Sequence, residues 1–198
     1  MSQPYEVIAI SGSPSEKSRS TSLLNYYTSA LEQLGTRVKH IRLTDLPAKD
    51  LILGKYDAPA ITAVHDAIAG AKAIILASPV YKATISGGLK ALLDVLPENA
   101  FAHKTVVPLA SAGSSLHLLA LDYSLGPILA ALGTPKVLKG IYAAQTQLTS
   151  KGDSYEPDPD VRARLDHSIK ELHHTLAPAS ALSHPNPDAW INRHFIAV

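Results

Sequence analysis

The chain of 198 residues has no cysteine, few charged side chains and no long apolar run. The absence of cysteine excludes disulfides, thiolate metal ligands and a thiol nucleophile, and it suits a reducing compartment. Charged residues are 18% of the chain and the formal net charge is +1, so no basic surface favours nucleic acid. No apolar segment approaches the length of a membrane span, and no secretory signal pattern opens the sequence. We therefore expect one cytoplasmic domain that binds neither nucleic acid nor membrane.

Glycine is scarce where nucleotide-binding loops need it. Only Gly12 lies between the first predicted strand, residues 7–10, and the helix that follows it. The dinucleotide motif G-x-G-x-x-G and the triphosphate motif G-x-x-x-x-G-K-[ST] are both absent here. A pyrophosphate lying on bare backbone is therefore disfavoured.

Hydroxyl groups take the place of glycine in this first loop. Residues 11–22 hold seven hydroxyls and two cations: Ser11, Ser13, Ser15, Lys17, Ser18, Arg19, Ser20, Thr21 and Ser22. Free N–H groups at a helix start, the helix dipole and such side chains together make an anion site. The pattern predicts a site for a terminal monophosphate. The alternative is an ordinary strand-to-helix turn whose serines only cap the helix.

Predicted strands and helices alternate along the rest of the chain. Apolar runs and alternation predict strands at residues 7–10, 38–43, 73–77, 105–110 and 136–142. Helical spacing predicts helices at residues 22–34, from Pro59 onward, and at 89–96, 116–132 and 161–176. Residues 44–57 and 150–159 lack a regular period, so we expect a long loop and a polar connection there. Pro108 predicts a bulge or an unpaired position in its strand.

Five strand–helix units with apolar inner strands predict a doubly wound α/β fold. The sheet is expected to be open, parallel and five-stranded, with helices on both faces and the flavodoxin-like strand order 2-1-3-4-5. Ligands of such sheets bind beyond the carboxyl ends of the strands, at the switch point between strands one and three. The small-residue loops after strands one, three and four therefore converge on one crevice.

These three loops suit flavin mononucleotide (FMN). The first loop would hold the phosphate, and residues 79–82 would run beneath the isoalloxazine, with backbone N–H groups that tune its N5. Residues 111–115 carry small side chains that allow a close approach to the far edge of the ring. Two alternatives stay open: Tyr81 as a half-buried aromatic at a strand end, and the third loop as a plain helix cap formed by Ser114 or Ser115.

Three segments carry a family resemblance. They are GSPSEKSRSTSLL at residues 12–24, ASPVYKATISGGLKALLDVLPENA at 77–100 and PLASAGSSLHLLALDYSLGPILAALG at 108–133. Together they resemble the NADPH-dependent FMN reductases of the alkanesulfonate-utilisation system, which supply reduced FMN to a separate monooxygenase. The resemblance spans roughly residues 7–176, nearly the whole chain.

The resemblance implies that FMN and NADPH are the ligands, and it implies FMN contacts in each loop. The phosphate contacts are Ser13, Arg19, Ser20 and Thr21; the ring contacts are Pro79, Val80, Tyr81 and Lys82; the far-edge contacts are Ser111, Ala112 and Gly113. It also implies a homotetramer built as a dimer of dimers. Tyr123 matches a tyrosine that forms a π-helical bulge tied to oligomer contacts and flavin exchange.

The implied reaction is hydride transfer from C4 of NADPH to N5 of FMN, followed by release of reduced FMN to the monooxygenase. It requires no acid or base from the protein, and we expect no metal. NADPH rather than NADH rests on the resemblance alone, and Lys17, Arg19 and Lys82 are all candidates for the 2′-phosphate. An FMN-bound quinone or azo reductase and a flavodoxin-like electron carrier are the alternatives. The near-neutral charge counts against the carrier, because carriers usually dock through an acidic face.

The flavin-binding domain is predicted to span residues 1–176, with a C-terminal extension at 177–198. The extension begins proline-rich and ends with aromatic and aliphatic residues. We expect Trp190 and Phe195 to anchor it to an oligomer partner.

Overall fold

The structure is a computed structural model that describes residues 5–177. Its main sheet contains β1 Val7–Ser11, β2 Val38–Arg42, β3 Ala73–Tyr81, β4 Thr84–Ile85, β5 Thr105–Ala112, β6 Lys136–Val137 and β7 Ile141–Ala144. The strand order is β2-β1-β3-β5-β6, while β7 also pairs with β5 and the short β4 runs antiparallel to the end of β3. With β6 and β7 sharing the fifth place, this is the predicted order 2-1-3-4-5. The flavodoxin-like fold is confirmed.

Helices cover both faces of the sheet. Their bounds are α1 Arg19–Gln33, α2 Ala48–Ile52, α3 Pro59–Ala69, α4 Gly87–Asp94, α5 Gly126–Ala131 and α6 Pro159–Leu176. Alternate side chains of β1 enter two separate cores: Val7 and Ala9 pack with α1 and α6, whereas Ile8 and Ile10 pack with α3, α4 and α5. This two-sided burial explains why β1 is apolar at successive positions.

The parallel register aligns the carboxyl ends of the central strands. Ser11 at the end of β1 pairs with Ala77 of β3, and Pro79 of β3 pairs with Ser111 of β5. The loops that follow β1 and β5 and the end of β3 therefore lie at one edge of the sheet, as predicted.

The first helix begins three residues earlier than its apolar period indicates. The predicted start is Ser22, but α1 begins at Arg19 after an extended Ser18. Ser20 and Thr21 are buried in its first turn. Their hydroxyls form hydrogen bonds with Ser18 and Ser11, so these polar residues can be buried in the helix. A prediction that relies on the spacing of apolar residues does not detect such helical positions.

The helix predicted at residues 116–132 is found in three pieces, and Tyr123, where the family resemblance implies a π-helical bulge, lies in the π-helix. Ser115–His117 forms a 3₁₀ turn, Leu121–Leu125 forms a π-helix and α5 follows. Pro127 has no N–H to bond back to the carbonyl four residues earlier, and that carbonyl belongs to Tyr123 within the π-helix. The α-helical ladder is interrupted there, and the wider π turn precedes the break.

The strand predicted at residues 136–142 is divided into β6 and β7. β6 pairs with Thr105 and Val106, and β7 pairs with residues from Leu109 onward. Pro108 lies in the interval between the two pairings, where it has no N–H to donate to the ladder. On its other side β5 pairs with β3 without interruption, so the effect of Pro108 is confined to one neighbour.

Two segments without a period contain regular structure. Residues 44–57, predicted as a loop, include α2, and Leu51 of that helix is buried in the core. Residues 150–159, predicted as a connection, lie mostly in an antiparallel hairpin of β8 Leu148–Lys151 and β9 Ser154–Pro157. Both elements are too short to show a hydrophobic period, which explains the error.

No helix within residues 5–177 is long and apolar enough to cross a membrane. The predicted anchors Trp190 and Phe195 lie outside the described residues, so their role stays a prediction.

Candidate functional site

A crevice lies at the carboxyl ends of β1, β3 and β5. Its volume is about 250 Å³. Residues from all three predicted loops line it. Eight of them are predicted FMN contacts: Ser13, Arg19, Pro79, Val80, Tyr81, Ser111, Ala112 and Gly113. The other lining residues are Ser15, Lys17 and Ser18 of the first loop, and Tyr155 of β9. A more open hollow of about 420 Å³ lies on the far side of Tyr155, against α1. We place the candidate site in the smaller crevice, because parallel sheets bind ligands at this edge.

The start of α1 offers unused hydrogen-bond donors to the crevice. The Ser18 side chain does not cap the helix, and the first turn contains no acidic residue. Ser22 N–H bonds back to Ser18 O at 2.9 Å, so the three N–H groups before it have no acceptor within the helix. Arg19 Nε is buried and has no hydrogen-bond partner in the described part of the chain. This donor set fits a phosphate.

Ser20 and Thr21 lie in that first turn with their hydroxyls already paired. Ser20 Oγ lies 3.0 Å from Ser18 Oγ, and Thr21 Oγ1 lies 2.8 Å from Ser11 Oγ. Neither is part of the crevice lining found among the described residues. Ser13 differs only in lining the crevice: its Oγ accepts from Ser15 N–H at 3.1 Å and donates to Ser15 O at 3.2 Å.

The second loop is a tight hairpin between β3 and β4. Tyr81 pairs with Thr84, so only Lys82 and Ala83 form the turn, with φ values of 51° and 63°. Both lie in the left-handed region, which normally requires glycine or asparagine in such a turn. Strain of this kind persists where surrounding structure holds it and clusters at ligand sites. Tyr81 lines the crevice and is 49% exposed, whereas the exposed Lys82 stands at the turn.

A buried hydrogen-bond network joins the first loop to the second. Ser86 N–H donates to Ser78 Oγ at 3.0 Å, and Ser78 Oγ donates to Pro79 O at 2.8 Å. Ser86 Oγ donates to Gly12 O and also caps α4 by accepting from Leu89 N–H at 3.1 Å. Ser78 and Ser86 were not predicted from the sequence, because their hydroxyls bond to backbone atoms, and the atom that joins the two loops, Gly12 O, is distant in sequence from Ser86.

Gly12 packs too closely against α4 to carry a side chain. A Cβ at this position would lie 2.8 Å from Leu89 Cβ and 3.0 Å from Ala77 O. Its N–H donates to Ala77 O at 2.7 Å. Glycine is therefore needed for this close approach rather than for contact with a pyrophosphate.

The third loop closes the crevice at β5. Ser111 and Ala112 are buried, and open space surrounds the position that a Cβ on Gly113 would take. Ser114 Oγ accepts from Leu116 N–H at 3.2 Å, so the capping alternative holds for Ser114, while residues 111–113 line the crevice. Tyr142 on β7 donates its hydroxyl to Ser114 O. Burial raises the pKa of Tyr142, which keeps this donor protonated.

Tyr123 lies in the π-helix and is 77% exposed. Three leucines just before it are also more than half exposed: Leu116, Leu118 and Leu119. The Ser124 hydroxyl contacts Thr84 Oγ1, which links this apolar segment to the hairpin of the second loop. Among the described residues, no cluster of histidine and acidic side chains is arranged to hold a metal ion.

The comparison with known families decides the identity. The sequence matches the family described as NADPH-dependent FMN reductase over residues 5–149, more than half of the chain. The chain belongs to this family. It is an oxidoreductase that uses NADPH and FMN, and the donors at the start of α1 fit the FMN phosphate.

Relatives of this FMN reductase match over most of their length. It is 41% identical over 174 residues to an FMN reductase (NADPH) of Pseudomonas putida, covering 86% of this chain and 88% of that protein. It is 39% identical to an FMN reductase (NADPH) of Escherichia coli, covering 86% and 89%. The apo crystal structure of an NADH:FMN oxidoreductase, EMOB, superposes with a TM-score of 0.79 at 35% identity, covering 93% of this chain and 98% of that one.

Tyr155 lines the crevice and was not predicted from the sequence. It lies on β9, in the segment predicted to be a polar connection, and it lies against the first loop. The available signal was an aromatic residue just after the turn Lys151-Gly152-Asp153, where Gly152 has a φ of 55°.

Proposed function

We propose that this enzyme reduces FMN in the crevice and then releases it for a separate monooxygenase. The carrying observation is the donor set at the start of α1: Arg19 with its buried Nε, several hydroxyls, and Lys17 as the one other cation among the residues that line the crevice. Such a set suits a phosphate that is bound with moderate affinity and then released. The resemblance to reductases of alkanesulfonate utilisation favours an alkanesulfonate-desulfonating monooxygenase as the receiver.

The first loop holds the phosphate in this proposal. Arg19 supplies its guanidinium, and Ser13 supplies its hydroxyl, which would exchange its bond to Ser15 O for one to a phosphate oxygen. Ser20 and Thr21 contribute main-chain N–H groups, since their hydroxyls are already paired. Both residues therefore stay phosphate contacts in the proposal, through the main chain.

The other two loops hold the ring. Pro79, Val80 and Tyr81 form one wall, and Ser111, Ala112 and Gly113 form the far edge. FMN, when bound, supplies the N5 atom that accepts the hydride of NADPH. The residues of the chain orient the ring and exclude water from it, so catalysis is positioning rather than acid–base chemistry.

NADPH is the proposed reductant over NADH. Both relatives named as NADPH enzymes support it, whereas the similar crystal structure is that of a protein named as an NADH enzyme. Of the three candidate cations, Lys82 stands exposed at the rim, while Lys17 donates to Gly152 O at 2.6 Å. Lys82→Ala separates the two roles open to Lys82: a contact with the 2′-phosphate predicts a higher KM for NADPH, and a contact with the flavin ring predicts weaker FMN binding.

A homotetramer built from dimers, located in the cytoplasm, completes the proposal. The exposed apolar residues around Tyr123 support self-association, because patches of this kind mark interaction surfaces. They adjoin the second loop through Ser124, so assembly and flavin exchange are physically connected.

Release of the product is tested by anaerobic turnover with NADPH and excess FMN, followed by ultrafiltration. Reduced FMN is expected in the filtrate in amounts well above the enzyme concentration. Recovery of all reduced flavin with the protein contradicts the proposal and favours the alternative of a quinone or azo reductase with bound FMN.

A further inference from the structure

The β8–β9 hairpin contributes one wall of the crevice from outside the region that defines the family. The family match ends at residue 149, whereas Tyr155 lies six residues later on β9. Its ring lies between the crevice and the hollow beside α1, and it lines both.

Tyr155 contacts the two cations of the first loop. The guanidinium carbon of Arg19 lies 4.9 Å from the centre of its ring, and Lys17 Nζ lies 5.7 Å away. Neither cation forms an ion pair with a carboxylate in the described part of the chain. The aromatic face is therefore the partner that holds the Arg19 side chain.

The hairpin holds this ring at a fixed position relative to the start of α1. Tyr155 N–H donates to Ser22 Oγ at 3.0 Å, and Ser22 Oγ donates to Ser18 O at 3.0 Å. Lys17 Nζ donates to Gly152 O at the hairpin turn. Tyr155 also packs against the core formed by α1 and α6. These contacts tie the hairpin to both sides of Ser18, so the ring and the helix start move as one unit.

We propose that Tyr155 is a positioning residue that orders Arg19 for the flavin phosphate. A free arginine side chain loses considerable rotamer entropy when it binds an anion. Stacking on Tyr155 removes that loss before the phosphate arrives, and it leaves Arg19 Nε buried with its N–H unpaired. The inference rests on the proposed FMN site, because it takes the FMN phosphate to be the anion that Arg19 binds.

The test compares FMN with riboflavin, which has the same ring and no phosphate. Dissociation constants for both are measured by quenching of flavin fluorescence in the full-length protein, in the wild type and in Tyr155→Phe, Tyr155→Leu and Tyr155→Met. The leucine and methionine variants keep an apolar side chain on the core and remove the aromatic face. Thr149→Ala, an exposed change on the same hairpin, is the control.

The wild type, Tyr155→Phe and Thr149→Ala are expected to share one preference for FMN over riboflavin. Tyr155→Leu and Tyr155→Met are expected to reduce that preference about fivefold, with riboflavin affinity unchanged. In an Arg19→Ala background, the same changes at Tyr155 are expected to have no further effect on the preference.

Three results separate the possible failures. An unchanged FMN preference in both aliphatic variants overturns the role of Tyr155 while the FMN site stands. Equal loss of FMN and riboflavin affinity also overturns it, because that pattern reports a purely structural contact. A wild type that binds riboflavin as tightly as FMN overturns the proposed phosphate site itself.

Discussion

Arg19 is the residue on which phosphate recognition depends. Its Nε is buried without a partner in the described part of the chain, beside three free N–H groups of α1. Arg19→Ala removes a charge-assisted hydrogen bond, which contributes about 1.5–3 kcal/mol. We expect FMN affinity to fall roughly 10- to 150-fold in a fluorescence titration. Riboflavin affinity and the melting temperature serve as controls and should not change; a normal FMN affinity in this variant removes Arg19 from the site.

Gly12 is the residue that sets how closely the first loop approaches α4. Gly12→Ala places a methyl group 2.8 Å from Leu89 Cβ. The overpacking is expected to cost about 1–3 kcal/mol of unfolding free energy, measured by urea denaturation. Gly113→Ala is the matched control, because no atom beyond its chain neighbours lies within 4 Å of the position that its methyl group would take. Equal stability of the two variants contradicts the tight contact.

At the scale of elements, α4 and the first loop share one serine. Ser86→Ala removes the N-cap of α4 and the bond to Gly12 O. The loss is expected to be about 1–2 kcal/mol of stability, together with weaker FMN binding because the first two loops are no longer joined. Ser29→Ala, at an exposed position of α1, should leave both quantities near the wild-type values. A Ser86→Ala protein with unchanged stability and FMN affinity contradicts this link.

The elements also show what the sequence could and could not predict. The buried strands β1, β3 and β5 were predictable because each is an apolar run of strand length. The π-helix was expected only from the family resemblance at Tyr123, since its spacing resembles that of an ordinary helix. The β8–β9 hairpin was missed because its two strands are short and polar. Hydrogen bonding between such strands leaves no hydrophobic period in the sequence.

At the candidate site, too, the sequence predicts local patterns but not contacts between distant segments. Residues 111–113 and 79–81 were predictable because small residues at strand ends converge in this fold. Ser86 and Tyr155 act through contacts with the first loop, which is distant in sequence, and Ser78 acts through backbone atoms, so all three were found only in three dimensions.

At the scale of the whole molecule, the exposed apolar segment before and at Tyr123 tests the proposed assembly. Leu119 is 56% exposed within it. Leu119→Lys would bury a charge in an apolar contact, which costs several kcal/mol, so light scattering should show smaller particles than the wild type. Leu34→Lys introduces the same charge at a leucine that is 49% exposed at the end of α1 and should leave the mass unchanged. A Leu119→Lys protein of wild-type mass excludes this surface from the interface.

The most direct test of the function is the rate of NADPH oxidation by the purified enzyme with and without added FMN. If FMN is a substrate that enters and leaves the crevice, the rate should rise with free FMN and saturate, and a quinone should not replace it. The three loops around the crevice and the unpaired Nε of Arg19 both lead to this expectation. A rate that depends on a quinone and ignores added FMN contradicts it.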